Sequence, residues 1–234
     1  MYRKILTLIV IAVFIWSCSD DDEIPTGLDS YDQSVIEYFH EVALGFEFGG
    51  APNITRKWTT EMKIFVGGSK TTELMDELED IISDINELAT DGFSISIVTD
   101  TLESNFYIFL GPGDVYAEKF PSQASLVATN WGLFSVYWDD QDQIYKGNMY
   151  VDTDRANAEE ERHLLREELT QSLGLARDSN LYSNSIFQSS WTTTTEYAGI
   201  DEDVIRLLYH PQMSVGLEEA EAEEVLTQII LSEK

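Results

Sequence analysis

The residues best suited to chemistry lie in one short segment, His163 to Leu175, which reads HLLREELTQSLGL. Leucines recur every four positions along it, which predicts a helix with one buried stripe. At about 100° per residue, Glu167, Glu168 and Gln171 share an arc roughly opposite that stripe. Carboxylate and amide oxygens are ligands that suit calcium or magnesium better than zinc. The leucines of the predicted stripe are Leu165, Leu169 and Leu173.

The spacing of this segment resembles the active-site helix of zinc peptidases, which reads H-E-x-x-H-x-x-G. There, two histidines one turn apart bind zinc, and the glutamate beside the first polarises the metal-bound water. Glu168 and Gly174 are in register with that glutamate and that glycine, whereas Glu167 and Gln171 replace the histidines. The resemblance implies that Glu168 is the general base and that Glu167 and Gln171 are metal ligands. Zinc held by one carboxylate and one amide would bind weakly.

A third metal ligand would fall three residues after Gly174 in the longer form of that motif. This position is Arg177, which cannot bind a cation, and the next residue, Asp178, is the third candidate ligand. The sequence therefore leaves a divalent cation open and lacks the usual zinc site. In the alternative interpretation, Glu167 and Glu168 are ordinary polar residues of a helix and Gln171 makes a buried hydrogen bond.

The wider string EELTQSLGLARDS, from Glu167 to Ser179, resembles the signature of the domain of unknown function 2927 family, E-E-L-x-Q-x-L-G-L-x-x-D-S. The likeness continues in YSNSIF, which begins at Tyr182, and in DVIRLLY, which begins at Asp203. It covers residues 50–217. In this family, glutamate and glutamine are the expected residues at the two histidine positions.

That family in turn resembles the metzincin branch of the zincins. The resemblance implies an α+β fold, with a twisted mixed sheet backed by helices, the long helix that carries the motif, and a smaller helical and irregular C-terminal lobe. Ser185-Ile186 falls where metzincins have a tight turn with methionine, and Leu208-Tyr209 ends the following helix. The resemblance implies the fold and not the activity, because function depends on the residues of the site.

The spacing of apolar residues predicts the elements that must position this helix. Ser34 is the expected N-cap of the first helix. We predict helices at residues 34–46, 72–88, 159–175, 201–209 and 217–231. We predict strands at residues 58–66, 93–98, 105–110, 133–138 and 146–152, the last two forming a hairpin.

The N-terminus has the pattern of a secretory signal. Arg3 and Lys4 precede an apolar run, Ile5 to Trp16, that is too short to cross a bilayer as a permanent helix. Cys18, the only cysteine, follows and resembles the lipidated residue of bacterial lipoproteins. This implies cleavage before Cys18 and attachment to the outer membrane through lipid on its sulfur. An uncleaved anchor or a simple secretory signal is the alternative.

The acidic run from Ser19 to Glu23 is either a solvated linker or the export tag that it resembles in surface lipoproteins of Bacteroidota. We therefore expect the protein at the cell surface, with the periplasmic face of the outer membrane as the alternative. The expected division of the chain is a signal peptide at 1–17, a lipid-anchored tether at 18–31 and one zincin-like domain at 32–234.

The composition excludes several classes of partner and site. Acidic residues outnumber basic ones 43 to 14, for a formal charge of −29, so nucleic acid is repelled. A single cysteine rules out an intramolecular disulfide and a cysteine-based zinc site. Among the three histidines, His163 lies one turn before Glu167, and we expect it to be exposed, with a place in the site as the alternative.

Three functions are compatible with this sequence. The favoured one is an envelope lipoprotein whose zincin-like cleft binds a peptide, protein or glycan without zinc peptidase activity. The second is a metal-dependent hydrolase with Glu167, Gln171 and Asp178 around a cation and Glu168 as general base. The third is an accessory envelope protein with no ligand of its own.

Overall fold

The computed structural model of the protein describes residues 27–48 and 50–234, so the predicted signal peptide and most of the predicted tether lie outside the described residues. The helices are α1 (Ser30–Ala43), α2 (Thr72–Leu88), α3 (Gly113–Lys119), α4 (Ala124–Val127), α5 (Ala158–Gln171), α6 (Gly199–Leu208) and α7 (Glu219–Ser232). The strands are β1 (Lys57–Trp58), β2 (Met62–Gly68), β3 (Ile95–Ile97), β4 (Phe106–Leu110), β5 (Gly132–Trp138) and β6 (Gln143–Val151).

The strands form one mixed sheet in the order β1-β6-β4-β2-β3, with β5 paired to β6. All pairings are parallel except that between β5 and β6, which is the predicted hairpin. Leu133 lies opposite Tyr150 and Val136 opposite Gly147 in this hairpin. Among the described residues β5 pairs with no other strand, so it has one free edge. The mixed sheet backed by helices confirms the predicted fold class.

Helix α5 begins and ends for identifiable reasons. Asn157 caps its N-terminus by accepting from the amides of Glu159 and Glu160, and the Glu160 side chain accepts from the Asn157 amide in return. Beyond its C-terminus, Gly174 has a φ of +118°, the left-handed conformation that commonly ends a helix. A side chain there would overlap the carbonyl oxygen of Arg56. Glycine is thus required both for the chain reversal and for the contact between α5 and the segment before β1.

Two buried aromatic side chains satisfy carbonyl groups at the end of α5, which have no partner within the helix. The Trp58 Nε1 donates to the Ser172 carbonyl over 3.0 Å, and the Tyr209 hydroxyl donates to the Leu173 carbonyl over 2.8 Å. Both aromatic residues are fully buried. These bonds join the helix to β1 and to the end of α6, so the sheet and the C-terminal segments position one end of α5.

The other anchor of α5 is a buried arginine. Arg166 is 4% exposed, and its guanidinium donates to Glu77 over 3.0 Å and to Asp84 over 2.7 Å. It also lies 4.7 Å from the ring centroid of Tyr197, whose hydroxyl is hydrogen bonded to Thr170. Because Glu77 and Asp84 belong to α2, these contacts fix the rotation of α5 about its axis.

The bounds of several elements differ from the sequence-based predictions, and helix α5 ends at Gln171, four residues before its predicted end. The first helix begins four residues early because Asp29, and not Ser34, is its N-cap. Residues 58–66 form parts of two strands, β1 and β2. Helices α3 and α4 occupy a region without a clear apolar repeat, where no element was predicted. Among the described residues, no helix has the length and apolarity needed to cross a membrane.

Candidate functional site

A cleft of about 780 Å³ lies along α5. One wall consists of β5 and the segment before it, residues 126–131. Residues 46–48 and 188–191 complete the walls, and side chains of α5 form the floor. The volume is typical of ligand sites, which span about 300 to 1,000 Å³.

All four residues singled out in the sequence line this cleft: Glu167, Glu168, Gln171 and Asp178. The side chain of Glu167 is 14% exposed, and Glu168 is 9% exposed. The Gln171 Nε2 donates to the Asp178 Oδ1 over 2.6 Å, so these two predicted ligands bind each other. The stripe formed by the α5 leucines lies in the core, as predicted.

Burial and mutual repulsion disfavour the charged forms of these acids. Burial raises the pKa of Glu168 well above its usual value, and the charges of Glu167, Asp178 and Glu47 raise it further, against a hydrogen bond from the Phe134 amide. Burial, Asp178 and Glu47 likewise raise the pKa of Glu167. Burial raises the pKa of Asp178, with the Gln171 hydrogen bond opposing. The cleft floor therefore holds several carboxyl groups that lack a compensating positive charge.

His163 is part of this floor, and the expectation that it is exposed was wrong. It is 3% exposed and lines the cleft. Its Nδ1 is 2.7 Å from the carbonyl oxygen of Thr194, which can only accept, so Nδ1 carries the proton. Its Nε2 faces Glu167 Oε2 at 3.5 Å. Burial lowers the pKa of His163, with the Thr194 bond opposing, so the neutral ring presents a lone pair to Glu167.

The turn predicted at Ser185-Ile186 is buried and tightly bonded. Ser185 donates to Asp201 Oδ1 over 2.7 Å, and the amide of Ile186 donates to Asp201 Oδ2 over 3.0 Å. The Tyr38 hydroxyl also contacts the Ser185 hydroxyl at 2.5 Å. Ile186 packs in the main core and is fully buried. This turn therefore ties α1 and α6 together at the middle of the loop that follows α5.

The donors present do not fit a zinc site. In the described part of the chain, no three histidine, cysteine, aspartate or glutamate residues come together in a metal-binding arrangement. Gln171 and Asp178 already use polar atoms on each other. The oxygen atoms of the cleft floor can accept hydrogen bonds from a ligand, and its carboxylates can attract a positively charged group.

The residues that surround the acids were not predicted from the sequence. Gly132 leaves room for Glu168, because a Cβ at Gly132 would lie 2.5 Å from Glu168 Oε1. A glycine at the start of an otherwise β-branched and aromatic strand is the signal that marks such a close approach. Trp131 and Trp191, which both line the cleft, meet edge to face with centroids 5.2 Å apart. No local pattern predicts this contact between residues 60 positions apart.

Arg155 organises the wall that precedes β5. Its Nε donates to Asp152 over 2.7 Å, and a terminal nitrogen donates to the carbonyls of Val127 and Asn130 over 2.9 and 2.8 Å. Asp152 also accepts from the Gly113 amide over 3.0 Å. One ion pair thus fixes the start of α3 and the end of α4 beside the cleft.

Comparison with known proteins places this chain in a family. No curated protein matches the chain. The family model described as "Protein of unknown function (DUF2927)" matches residues 32–228, which extends beyond the region of sequence likeness at both ends. The match includes all of the cleft residues described above. The chain therefore belongs to the DUF2927 family of proteins of unknown function.

Proposed function

We propose that this protein is a lipid-anchored envelope protein whose zincin-like domain binds an extended polypeptide segment in the α5 cleft without zinc peptidase chemistry. The observation that carries the proposal is the free edge of β5, which lines the cleft directly beside the α5 carboxylates. Exposed strand edges bind extended peptides by adding a strand, with backbone hydrogen bonds supplying affinity and side-chain pockets supplying specificity.

The direction of the β5 backbone groups supports this mode of binding. Gly147 and Val151 of β6 direct backbone groups away from β5, since the Gly147 amide donates to Asn105 and the Val151 carbonyl accepts from Gly111. Their partners on β5 are Val136 and Gly132, so the backbone groups of these residues point outward. Phe134 shares this orientation by alternation, and its amide reaches Glu168. A ligand strand would meet the outward groups of Gly132 and Val136 and the carbonyl of Phe134, while the Phe134 amide is bonded to Glu168.

Peptide binding can be tested with the full chain in detergent. A random peptide library panned on the protein should yield extended sequences that bind reversibly and quench tryptophan fluorescence. One such peptide is then N-methylated at alternate residues in two complementary patterns. We expect one pattern to abolish binding and the other to preserve it, because only every second peptide amide can bond to β5. Recovery of no binding peptide, or equal binding by both patterns, would contradict the proposal.

A glycan or a folded protein is the other kind of ligand that the aromatic cleft would suit. The free strand edge favours a polypeptide, because sugars do not use a row of alternating backbone groups. An array of envelope glycans, measured in parallel with the peptides, distinguishes the two: saturable binding of a glycan and of no peptide would replace the proposal.

Attachment to the envelope rests on Cys18 and the run before it, which lie outside the described residues. The proposal predicts incorporation of radiolabelled palmitate into the wild-type chain and none into Cys18→Ser. Digestion of intact cells with protease distinguishes the cell surface from the periplasmic face. Lack of label in the wild type would reject lipid anchoring and leave the cleft proposal untouched.

Hydrolysis is a second candidate that one observation favours. Glu168, the position of the general base in zinc peptidases, lies in the cleft floor beside the edge on which a peptide would lie, and its raised pKa makes it a stronger base. The peptides recovered by panning are incubated with wild type and Glu168→Gln, with calcium, magnesium or zinc added, and followed by mass spectrometry. Cleavage by wild type alone would establish a hydrolase, and intact peptides throughout would reject it.

A further inference from the structure

We propose that the cleft selects polypeptide segments that carry a lysine or arginine side chain, which enters between the α5 carboxylates and the tryptophans of the walls. This inference rests on the proposed binding of an extended polypeptide and names the chemistry of its central side chain. It depends on three features of the cleft: the sign of its charges, the lack of partners for its acids, and its exposed aromatic faces.

Every formally charged side chain that lines the described cleft is acidic. The lining contains no lysine and no arginine, and its one histidine, His163, is held in the neutral form described above. A cleft whose charges all have one sign concentrates ligands of the opposite sign and repels its own. The acidic residues of the lining are Glu47, Glu160, Glu167, Glu168 and Asp178.

Acids buried elsewhere in the described chain have strong partners, whereas Glu168 does not. Asp201 has no cation but accepts from one hydroxyl and two backbone amides. Glu168 is more than nine-tenths buried, lines the cleft, and has the Phe134 amide as its one donor among the described residues. Isolated buried charge is unfavourable, so the site lacks a cation that a ligand would bring. The paired acids are Glu77 with Arg166, Asp91 with Lys57, and Asp152 with Arg155.

Glu167, like Glu168, has no strong hydrogen-bond or ion-pair partner among the described residues. Its nearest basic group is the His163 Nε2 at 3.5 Å, which carries a lone pair because the ring proton is on Nδ1 and which also lies 3.4 Å from the Thr192 hydroxyl. When Glu167 is ionised, two hydrogen-bond acceptors therefore face each other on the cleft floor. A ligand ammonium or guanidinium group has several donors and no acceptor, which is the complement that this pair lacks.

The walls add aromatic faces suited to a cation. Trp191 is 57% exposed and Trp138 is 37% exposed. The Trp138 ring already has partners within the protein, since the guanidinium of Arg56 lies 4.7 Å from its centroid and Phe46 stacks on it with centroids 5.1 Å apart. A ligand cation over the exposed surface of Trp191 would gain the attraction between charge and ring face that Arg56 has at Trp138.

The test uses one peptide recovered by panning and replaces its central residue by lysine, norleucine or glutamate. Norleucine keeps most of the aliphatic length of lysine without the charge. We expect the lysine peptide to bind at least about tenfold more tightly than the norleucine peptide, and the glutamate peptide to bind weakest. Equal affinities for lysine and norleucine would overturn the inference while strand addition stands. Failure of every peptide would instead overturn the proposed function.

Variants of the protein then locate the selectivity. Glu168→Gln and Glu167→Gln should each reduce the preference for lysine over norleucine, with affinity for norleucine retained. Glu87→Gln removes one charge from an exposed position on α2 and should leave the preference unchanged. Circular dichroism confirms that each variant is folded. If both cleft variants are folded and keep the full preference, the carboxylates do not select the side chain and the inference is wrong.

Discussion

The carboxylate of Glu168 occupies the space that a side chain on Gly132 would fill. A Cβ at Gly132 would lie 2.5 Å from Glu168 Oε1, 2.9 Å from its Cγ and 3.0 Å from Leu164 Cδ2. The edge strand and the motif-bearing helix therefore meet where one residue has no side chain. This contact places an acidic group directly beside a free strand edge, which is the arrangement on which both proposals rest.

Gly132→Ala should displace the Glu168 carboxylate without changing any charge. The clash involves the end of a flexible side chain, so the fold should survive with a loss of about 1 to 3 kcal/mol in the free energy of unfolding. Affinity for the lysine peptide should fall more than affinity for the norleucine peptide. Gly50→Ala is the control, because no atom lies within 4 Å of its Cβ position. Unchanged selectivity in folded Gly132→Ala would mean that the position of Glu168 is unimportant.

Gly174→Ala should destabilise the protein strongly. It places a Cβ in a left-handed conformation, with φ +118°, and against the carbonyl of Arg56. We expect a loss of at least about 2 kcal/mol in urea unfolding. Gly92 has a comparable φ of +95° but an open Cβ position, so Gly92→Ala should lose only about 1 kcal/mol. Equal losses in the two variants would show that the contact with Arg56 contributes nothing.

Arg166→Leu should reveal the cost of an unpaired buried acid. Glu77 is 8% exposed and would lose its cation, for a loss of about 3 to 5 kcal/mol in the free energy of unfolding. Adding Glu77→Leu should restore much of this loss. The other partner of Arg166 is Asp84, and the Asp84 side chain is 47% exposed. Asp84→Asn should therefore cost less than about 1 kcal/mol in the free energy of unfolding. If the double variant is as unstable as Arg166→Leu, the loss comes from packing and not from the stranded acid.

The free energy of unfolding should depend on pH through Glu168, because the pKa of this carboxyl is raised in the folded protein. A carboxyl whose pKa is higher in the folded state binds more protons there than in the unfolded chain. Its contribution to stability is therefore present below the unfolded pKa, about 4.3, and is lost as the pH rises toward the folded value. Glu168→Gln should be more stable than wild type near pH 7.5, and the difference should shrink toward pH 4.

Urea unfolding of both proteins across this range measures the difference directly, and comparison with wild type at each pH cancels the contribution of all other groups. The groups that face Glu168 are Glu167, Asp178, Glu47 and the Phe134 amide. A variant that is less stable than wild type near pH 7.5 would show that the ionised carboxylate is well solvated or paired in the folded protein.

Local patterns predicted the regular elements well. The apolar repeat of residues 72–88 marked α2 at its observed bounds, and the 133–138 and 146–152 hairpin was found because a polar turn separates two β-rich runs. The order of strands could not be predicted, because parallel pairing of β4 with β6 joins residues 41 positions apart without a local signal. Helices α3 and α4 were missed because they are too short to show a periodic pattern.

The site was predictable only where it lies on one helix. Helical spacing brought Glu167, Glu168 and Gln171 to one face, and the structure adds Asp178 beside Gln171. The state of His163 was not predictable, because a carbonyl 31 residues away orients its ring. Residues supplied by other elements, such as Gly132, enter the site through long-range packing that a single sequence does not encode locally.

Restoring the histidine pair tests the relation to the zincins. If α5 has the geometry of a zinc-peptidase helix, Glu167→His together with Gln171→His should bind zinc, because two histidines one turn apart then face the cleft with Asp178 nearby. Zinc at about 100 times its Kd would stabilise this variant by about 2.7 kcal/mol, which thermal unfolding detects. Gln171→His alone leaves one histidine and should give little stabilisation. A folded double variant that shows no stabilisation by zinc would mean that α5 presents these positions in a different geometry, and the zincin-like assignment would fail even though the mixed sheet and the DUF2927 family stand.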